Sequence, residues 1–319
     1  MAYETKDHET HYCFPAINSS CIKRKRSRHE SNIMYMFFSL LSAWTVFLNL
    51  LVIISISHFK KLHTPTNLII LSLAVADMLF GLVMPIEASR LIEICWYFGD
   101  TFCGLSLIIT GNLFLIAVDR YVAVCHPLLY PQKITMNKTL ISICLSWVCS
   151  STYSTAFVIS LRTNMCYGEC SFMMSFAWRV TDLIMYFIFP CILIISLYLK
   201  IFYVVQQQVK VINTLMKGGK CVNEGSVRRK SESKAALTLG IIVTVYLLCW
   251  IPYYICSISA VSSTTINVST WFVFSNSGLN PMVYALFYPW FKKTVKLILT
   301  LKIFQAASSL VNIFTEHQL

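Results

Sequence analysis

Charged side chains are scarce in this sequence of 319 residues: they make up 13%, against roughly a quarter in soluble domains. That shortage excludes an ordinary water-soluble enzyme or binding domain. Glycine and proline are also few, at 10 and 9 residues, which excludes fibrous and low-complexity chains. No repeat of 20–50 residues is visible, so neither a solenoid nor a transporter built from paired repeats is indicated. No grouping of nucleophile with base, and no metal-ligand spacing, points to an enzyme. The stretch from Cys103 to Asp119 has no charged side chain between its ends.

Apolar residues fill the space that charge leaves. They make up 56% of the chain, and its mean hydropathy is +0.65. A membrane-spanning helix needs about 20 apolar residues. Seven stretches qualify: 32–57, 67–91, 102–124, 139–161, 177–205, 235–259 and 265–288. The pattern predicts an all-α membrane protein, a bundle of seven transmembrane helices. The expected division is an extracellular segment 1–31, a seven-helix domain 32–289 and a cytoplasmic tail 290–319. Residues 1–31 are polar and show no cleavable leader.

The net charge of +12 suggests an orientation. With the N-terminus outside, Lys60, Lys61, Lys133, Lys138, the cluster 210–234, Lys292, Lys293, Lys296 and Lys302 all face the cytosol, as the positive-inside rule requires. The run Lys23, Arg24, Lys25, Arg26 and Arg28 opposes this orientation. Six of the 13 cysteines, Cys13, Cys21, Cys95, Cys103, Cys166 and Cys170, fall on the same outer, oxidising side. Asn18, in the sequon NSS, falls there too and is the expected glycosylation site. Asn267 is a second outer sequon.

Polar groups inside lipid are costly, so each one is a candidate for function. Asn49 sits in TVFLNLLVI and Asp77 in LSLAVAD. Asp119, Arg120 and Tyr121 close the third span. Trp147, Pro190 and Tyr198 follow, then Cys249, Trp250 and Pro252 in CWIP. The last set is Asn276, Ser277, Asn280, Pro281 and Tyr284 in NSGLNPMVY. A single buried Asp or Asn often only braces two helices. This ordered series, one set per span, resembles the rhodopsin-like G-protein-coupled receptors. NPMVYALFYPWFKK, YCFPAINSSCIK and CWYFGDTFC resemble the trace amine-associated receptors, especially the fish olfactory type.

The resemblance implies a receptor for small, volatile amines, signalling through a stimulatory or olfactory-type heterotrimeric G protein and cAMP. It implies a multi-pass protein of the plasma membrane, in olfactory cilia. Asp119, Arg120, Tyr121, Tyr198, Asn280, Pro281 and Tyr284 would form the signalling switch. Asp77, Asn276, Ser277 and Asn280 would form a mid-membrane cluster able to hold an allosteric sodium ion; no other cofactor and no nucleic-acid partner is expected. The implied disulfides are Cys103–Cys170, Cys13–Cys166 and Cys21–Cys95; six cysteines alone allow fifteen pairings. Beyond Tyr288, Trp290, Phe291, Val295, Leu297, Ile298 and Leu301 form a broad apolar face with Lys292, Lys293 and Lys296 toward water, which suits a short amphipathic helix lying on the inner leaflet. In the basic inner loop, Ser231 and Ser233 follow Arg228, Arg229 and Lys230, resembling a kinase substrate.

Thr110 stands where most amine receptors carry an Asp in the third span. Asp182 is the replacement: eight residues before Pro190, about 12 Å toward the outside, at the depth of an amine pocket. Trp250, Tyr253 and Tyr254, faced by Trp271 and Phe274, would wall in the cation. The competing reading pairs Asp182 with Arg179 on the same helix face. Glu87 and Arg90 read as a paired rim residue. The third span is about two helical turns shorter than the family pattern, Leu48 replaces the usual Gly before Asn49, and Ile109 stands in place of a Ser. A receptor for a non-amine ligand, or a non-signalling copy with a shortened third helix, therefore stays open as an alternative.

Overall fold

The computed structural model describes residues 11–23, 26–93, 95–99, 103–104, 135–161, 166–168, 170, 176–188, 191–192, 241, 244–259, 263–305 and 308–310. Helices are the only extended regular elements among them. They are α1 (Arg28–His58), α2 (Pro65–Glu93), α3 (Met136–Leu161), α4 (Phe176–Asp182), α5 (Thr244–Ile258), α6 (Ser263–Phe287) and α7 (Pro289–Leu299). A wider π turn, Leu183–Ile188, continues α4. α1 and α2 are both long and apolar enough to cross a membrane, and α3 and α6 have the length, at 26 and 25 residues.

α1 starts inside the basic run, earlier than expected. The Ser27 side chain caps it by accepting the Glu30 N–H at 3.1 Å, and Glu30 sits in the first turn, where an acid is favoured. Its polarity is inside-out. Ser42, Thr45, Asn49 and Ser55 are buried, while Leu40, Trp44 and Phe47 are exposed. Leu140, Leu145 and Val148 of α3 face outward as well. Such apolar surface suits lipid, not water.

α1 is pinned to its neighbours at one close crossing. A Cβ on Gly81 of α2 would lie 2.9 Å from Val46 Cγ2, and one on Gly278 of α6 would lie 3.0 Å from Thr45 Oγ1. A side chain at either place would push these neighbours aside, so the helices approach closely there. Ser42 Oγ uses that approach to donate to the Gly81 carbonyl at 2.7 Å.

Two apolar cores sit above and below a polar layer. The first joins Val52, Ile56, Phe59, Ile70, Tyr284 and Trp290, and holds α7 against the bundle. Leu48 is half-buried against it, so the residue before Asn49 packs without being glycine. The second joins Phe38, Phe80, Met84, Trp250, Tyr254 and Phe274. α7 buries Trp290, Phe291 and Leu297 of the expected face together with Thr294, half-buries Val295 and Ile298, and exposes Lys292 and Lys296; the helix ends at Leu299, which leaves Leu301 exposed.

Candidate functional site

The polar layer between the cores is built from three helices. Asn49 of α1 donates to the carbonyls of Thr45 at 2.9 Å and Ser277 at 3.1 Å. Asn280 of α6 donates to Asp77 Oδ2 at 2.9 Å, and the Ser277 hydroxyl also bonds to Asp77. Asn276 is buried one turn earlier on α6 but does not bond to Asp77. α6 runs unbroken through Pro281, and Tyr284 is buried below it. Asp119, Arg120, Tyr121 and Tyr198 lie outside the described residues, as do Thr110, Ser231 and Ser233.

Toward the cysteine end of the bundle, α5 carries an aromatic ladder. Tyr246 and Trp250 have ring centroids 5.7 Å apart, and Tyr253 and Tyr254 are 5.4 Å apart. Phe187, from the π turn after α4, stacks on Tyr254 at 4.9 Å. Asp182 is the residue just before that turn, within electrostatic reach of both Tyr246 and Tyr253. It has no hydrogen bond or ion pair with any described residue. The expected Arg179–Asp182 pair does not form: Arg179 Nη1 donates instead to the Ser257 carbonyl of α5, at 3.2 Å.

Trp271 and Phe274 take a different direction from the one expected. They share a core with Trp250 and Tyr254, but their ring partners lie on α1 and α2. Trp271 meets Phe38 at 5.6 Å, and Phe274 meets Phe38 at 5.8 Å and Phe80 at 5.1 Å. Bulky Phe38 fills the space between α1 and α6 and draws both rings toward it. Glu87 and Arg90 do pair, at 2.7 Å, yet Glu87 is buried and not on a rim. Arg90 also donates to the Cys170 carbonyl at 3.4 Å, which ties α2 to a disulfide.

Cys103 joins Cys170 as expected, but the other two bridges exchange partners: Cys13 joins Cys95 and Cys21 joins Cys166. The cause is backbone pairing. The Cys21 N–H donates to the Tyr167 carbonyl at 3.0 Å, and the Tyr167 N–H donates to the Ser19 carbonyl at 2.7 Å, which sets Cys21 beside Cys166. Cys13 lies across a small loop from Cys21, bonded N–H to carbonyl at 2.8 Å, and faces Cys95. Gly168, at φ +88°, lets Phe14 lie against its Cα; a Cβ there would be 2.7 Å from the ring. Asn18 is exposed at the loop tip.

This strap has a polar clasp that spacing did not reveal. The Glu93 carboxylate accepts from Lys23 Nζ at 2.8 Å, Tyr35 OH at 2.9 Å and Tyr97 OH at 2.9 Å. The bond to Glu93 raises the Lys23 pKa, and burial followed by the bond to Glu93 raises that of Tyr97. Lys23 and Glu93 stand 70 positions apart, so no local pattern links them. The basic run that opposes the expected orientation thus spends one of its charges on an ion pair.

The sequence pattern of the 7 transmembrane receptor (rhodopsin family) matches residues 48–284, which contain the polar layer and the α5 ladder. Trace amine-associated receptor 13c of Danio rerio is 40% identical, over 95% of this chain and 96% of its own length. Trace amine-associated receptors 8b and 9 of Rattus norvegicus are each 38% identical, over 95% and 96% of the chain and 96% and 98% of their own lengths. The chain belongs to the trace amine-associated receptors of the rhodopsin family. It is a seven-transmembrane receptor and not an enzyme, and its family works with a ligand and a G protein. The 334 aligned positions exceed what 95% of 319 residues can supply, so the alignment with the zebrafish relative opens gaps in this chain.

Proposed function

We propose that the receptor senses small amines, with the ligand ammonium held by Asp182 beside the Trp250, Tyr253 and Tyr254 rings. The observation that carries this reading is the state of Asp182. It is a carboxylate within electrostatic reach of Tyr253 on the aromatic ladder, and the nearest cation on its own helix is turned away to Ser257. A carboxylate so placed binds an ammonium by charge-assisted hydrogen bonds, and π faces add attraction. The names of the relatives, trace amine-associated receptors, support the same ligand class.

On this reading the N-terminus is outside, and the receptor signals through a stimulatory or olfactory G protein and cAMP from the ciliary membrane of olfactory neurons. The layer of Asp77, Ser277 and Asn280 supplies oxygen donors of the kind a sodium ion takes, with Asp77 as the anion. The test is cAMP in transfected cells against primary, tertiary and diamines, with surface expression measured. Amine responses that fall at least tenfold in Asp182→Asn support the anchor, the size expected for one charge-assisted bond of roughly 1.5–3 kcal/mol. Surface-expressed receptor silent to every amine overturns the reading and leaves the non-signalling alternative.

A further inference from the structure

Arg179 and Asp182 are opposite charges one turn apart on α4, and they do not neutralise each other. Both face α5. Arg179 reaches Ser257 at 3.2 Å, and Asp182 lies within electrostatic reach of Tyr253, one turn inward from Ser257. Among the described residues Arg179 has one hydrogen bond, to a neutral carbonyl, and its Nε is shielded from solvent with no partner. Its planar fork of N–H donors is therefore mostly unused, and that fork matches a carboxylate in geometry. Asp182 has no hydrogen-bond or ion-pair partner among the described residues. Arg90 is not equivalent, because Glu87 already neutralises it at 2.7 Å. Two opposite charges three residues apart on α4, about 4.5 Å of axial rise, that make no bond to each other are costly to hold in a low-dielectric site unless something bridges them.

We propose that the receptor prefers zwitterionic amines, whose ammonium reaches Asp182 while a carboxylate at the far end reaches the free donors of Arg179. This rests on the amine reading above and narrows it to a ligand class. An ω-amino acid carries both complements, an ammonium for Asp182 and a carboxylate for Arg179, at the two ends of a flexible methylene chain. A simple alkylamine satisfies Asp182 alone. A diamine brings a second cation toward Arg179 and is disfavoured by like-charge repulsion.

The test compares three compounds of equal chain length on the purified full-length receptor: pentylamine, 5-aminopentanoate and 1,5-diaminopentane. Binding is read from ligand-dependent thermal stabilisation, which needs no knowledge of the G protein. The expected order of affinity is 5-aminopentanoate, then pentylamine, then 1,5-diaminopentane, with roughly tenfold between the first two for one added charge-assisted bond. Arg179→Gln should remove the advantage of the carboxylate and strengthen diamine binding. Pentylamine binding that gains nothing from the added carboxylate overturns the zwitterion proposal and leaves the amine reading intact. No binding by any of the three overturns both. The unmodified receptor decides the order by itself, so poor folding of the variant does not blunt the test.

Discussion

Glu93→Gln should loosen the N-terminal strap without breaking its disulfides. Glu93 accepts three bonds of 2.8–2.9 Å, from Lys23, Tyr35 and Tyr97. The ion pair is partly open to water, with side-chain exposures of 39% for Lys23 and 23% for Glu93, so it contributes no more than a surface pair, about 0.5–1 kcal/mol. Each tyrosine bond loses its charge assistance but keeps a neutral acceptor, about 0.5–1 kcal/mol each. The sum is about 2 kcal/mol, or roughly 30-fold in the opening equilibrium. Hydrogen exchange of the full chain reads this directly, because the strap amides have named partners: Lys23 N–H to His11, Cys13 N–H to Cys21, Cys21 N–H to Tyr167. Their exchange should speed by that factor while α2 amides near Gly81 hold. The pH dependence has a definite sign. Lys23 has a raised pKa in the folded chain, so its contribution is complete below the ordinary value of 10.5 and is lost as pH rises through the folded one. The strap should therefore keep its protection at neutral and mildly alkaline pH. Unchanged exchange in Glu93→Gln would refute the clasp.

The remaining predictions concern packing and connectivity. Gly81→Ala should destabilise the receptor by about 1–3 kcal/mol, since its Cβ would meet Val46 Cγ2 at 2.9 Å and Thr45 Cγ2 at 3.2 Å; a thermal melt of the detergent-purified chain reads it, and an unchanged melting temperature would contradict the close crossing. Non-reducing digestion and mass spectrometry should recover Cys13 linked to Cys95 and Cys21 linked to Cys166. Cys13 linked to Cys166 would restore the pairing first inferred from the family.

Much of the bundle was legible because its signals are local. Runs of apolar residues marked α1, α2, α3 and α6 to within a few positions, and the alternation of Trp290, Phe291 and Leu297 with lysines marked the buried face of α7. The ends were less legible. α1 begins at Arg28 because capping by Ser27 lets polar residues join the helix, which an apolar window does not register.

Sequence by itself determined a helical membrane protein, because composition and span length are written in consecutive residues, and its motifs carried the resemblance to the trace amine-associated receptors. Tertiary structure alone decided the partners. Arg179 and Asp182 have the spacing of an ion pair, yet Arg179 reaches across to a Ser257 carbonyl that spacing on α4 cannot reveal. Phe38 turned Trp271 and Phe274 toward α1 and α2 by filling the space between helices. Backbone bonds from Cys21 and Ser19 to Tyr167 chose one disulfide pairing among clustered cysteines. In each case the deciding contact joins residues far apart in the chain, and its energy depends on distance in space and not on separation in sequence.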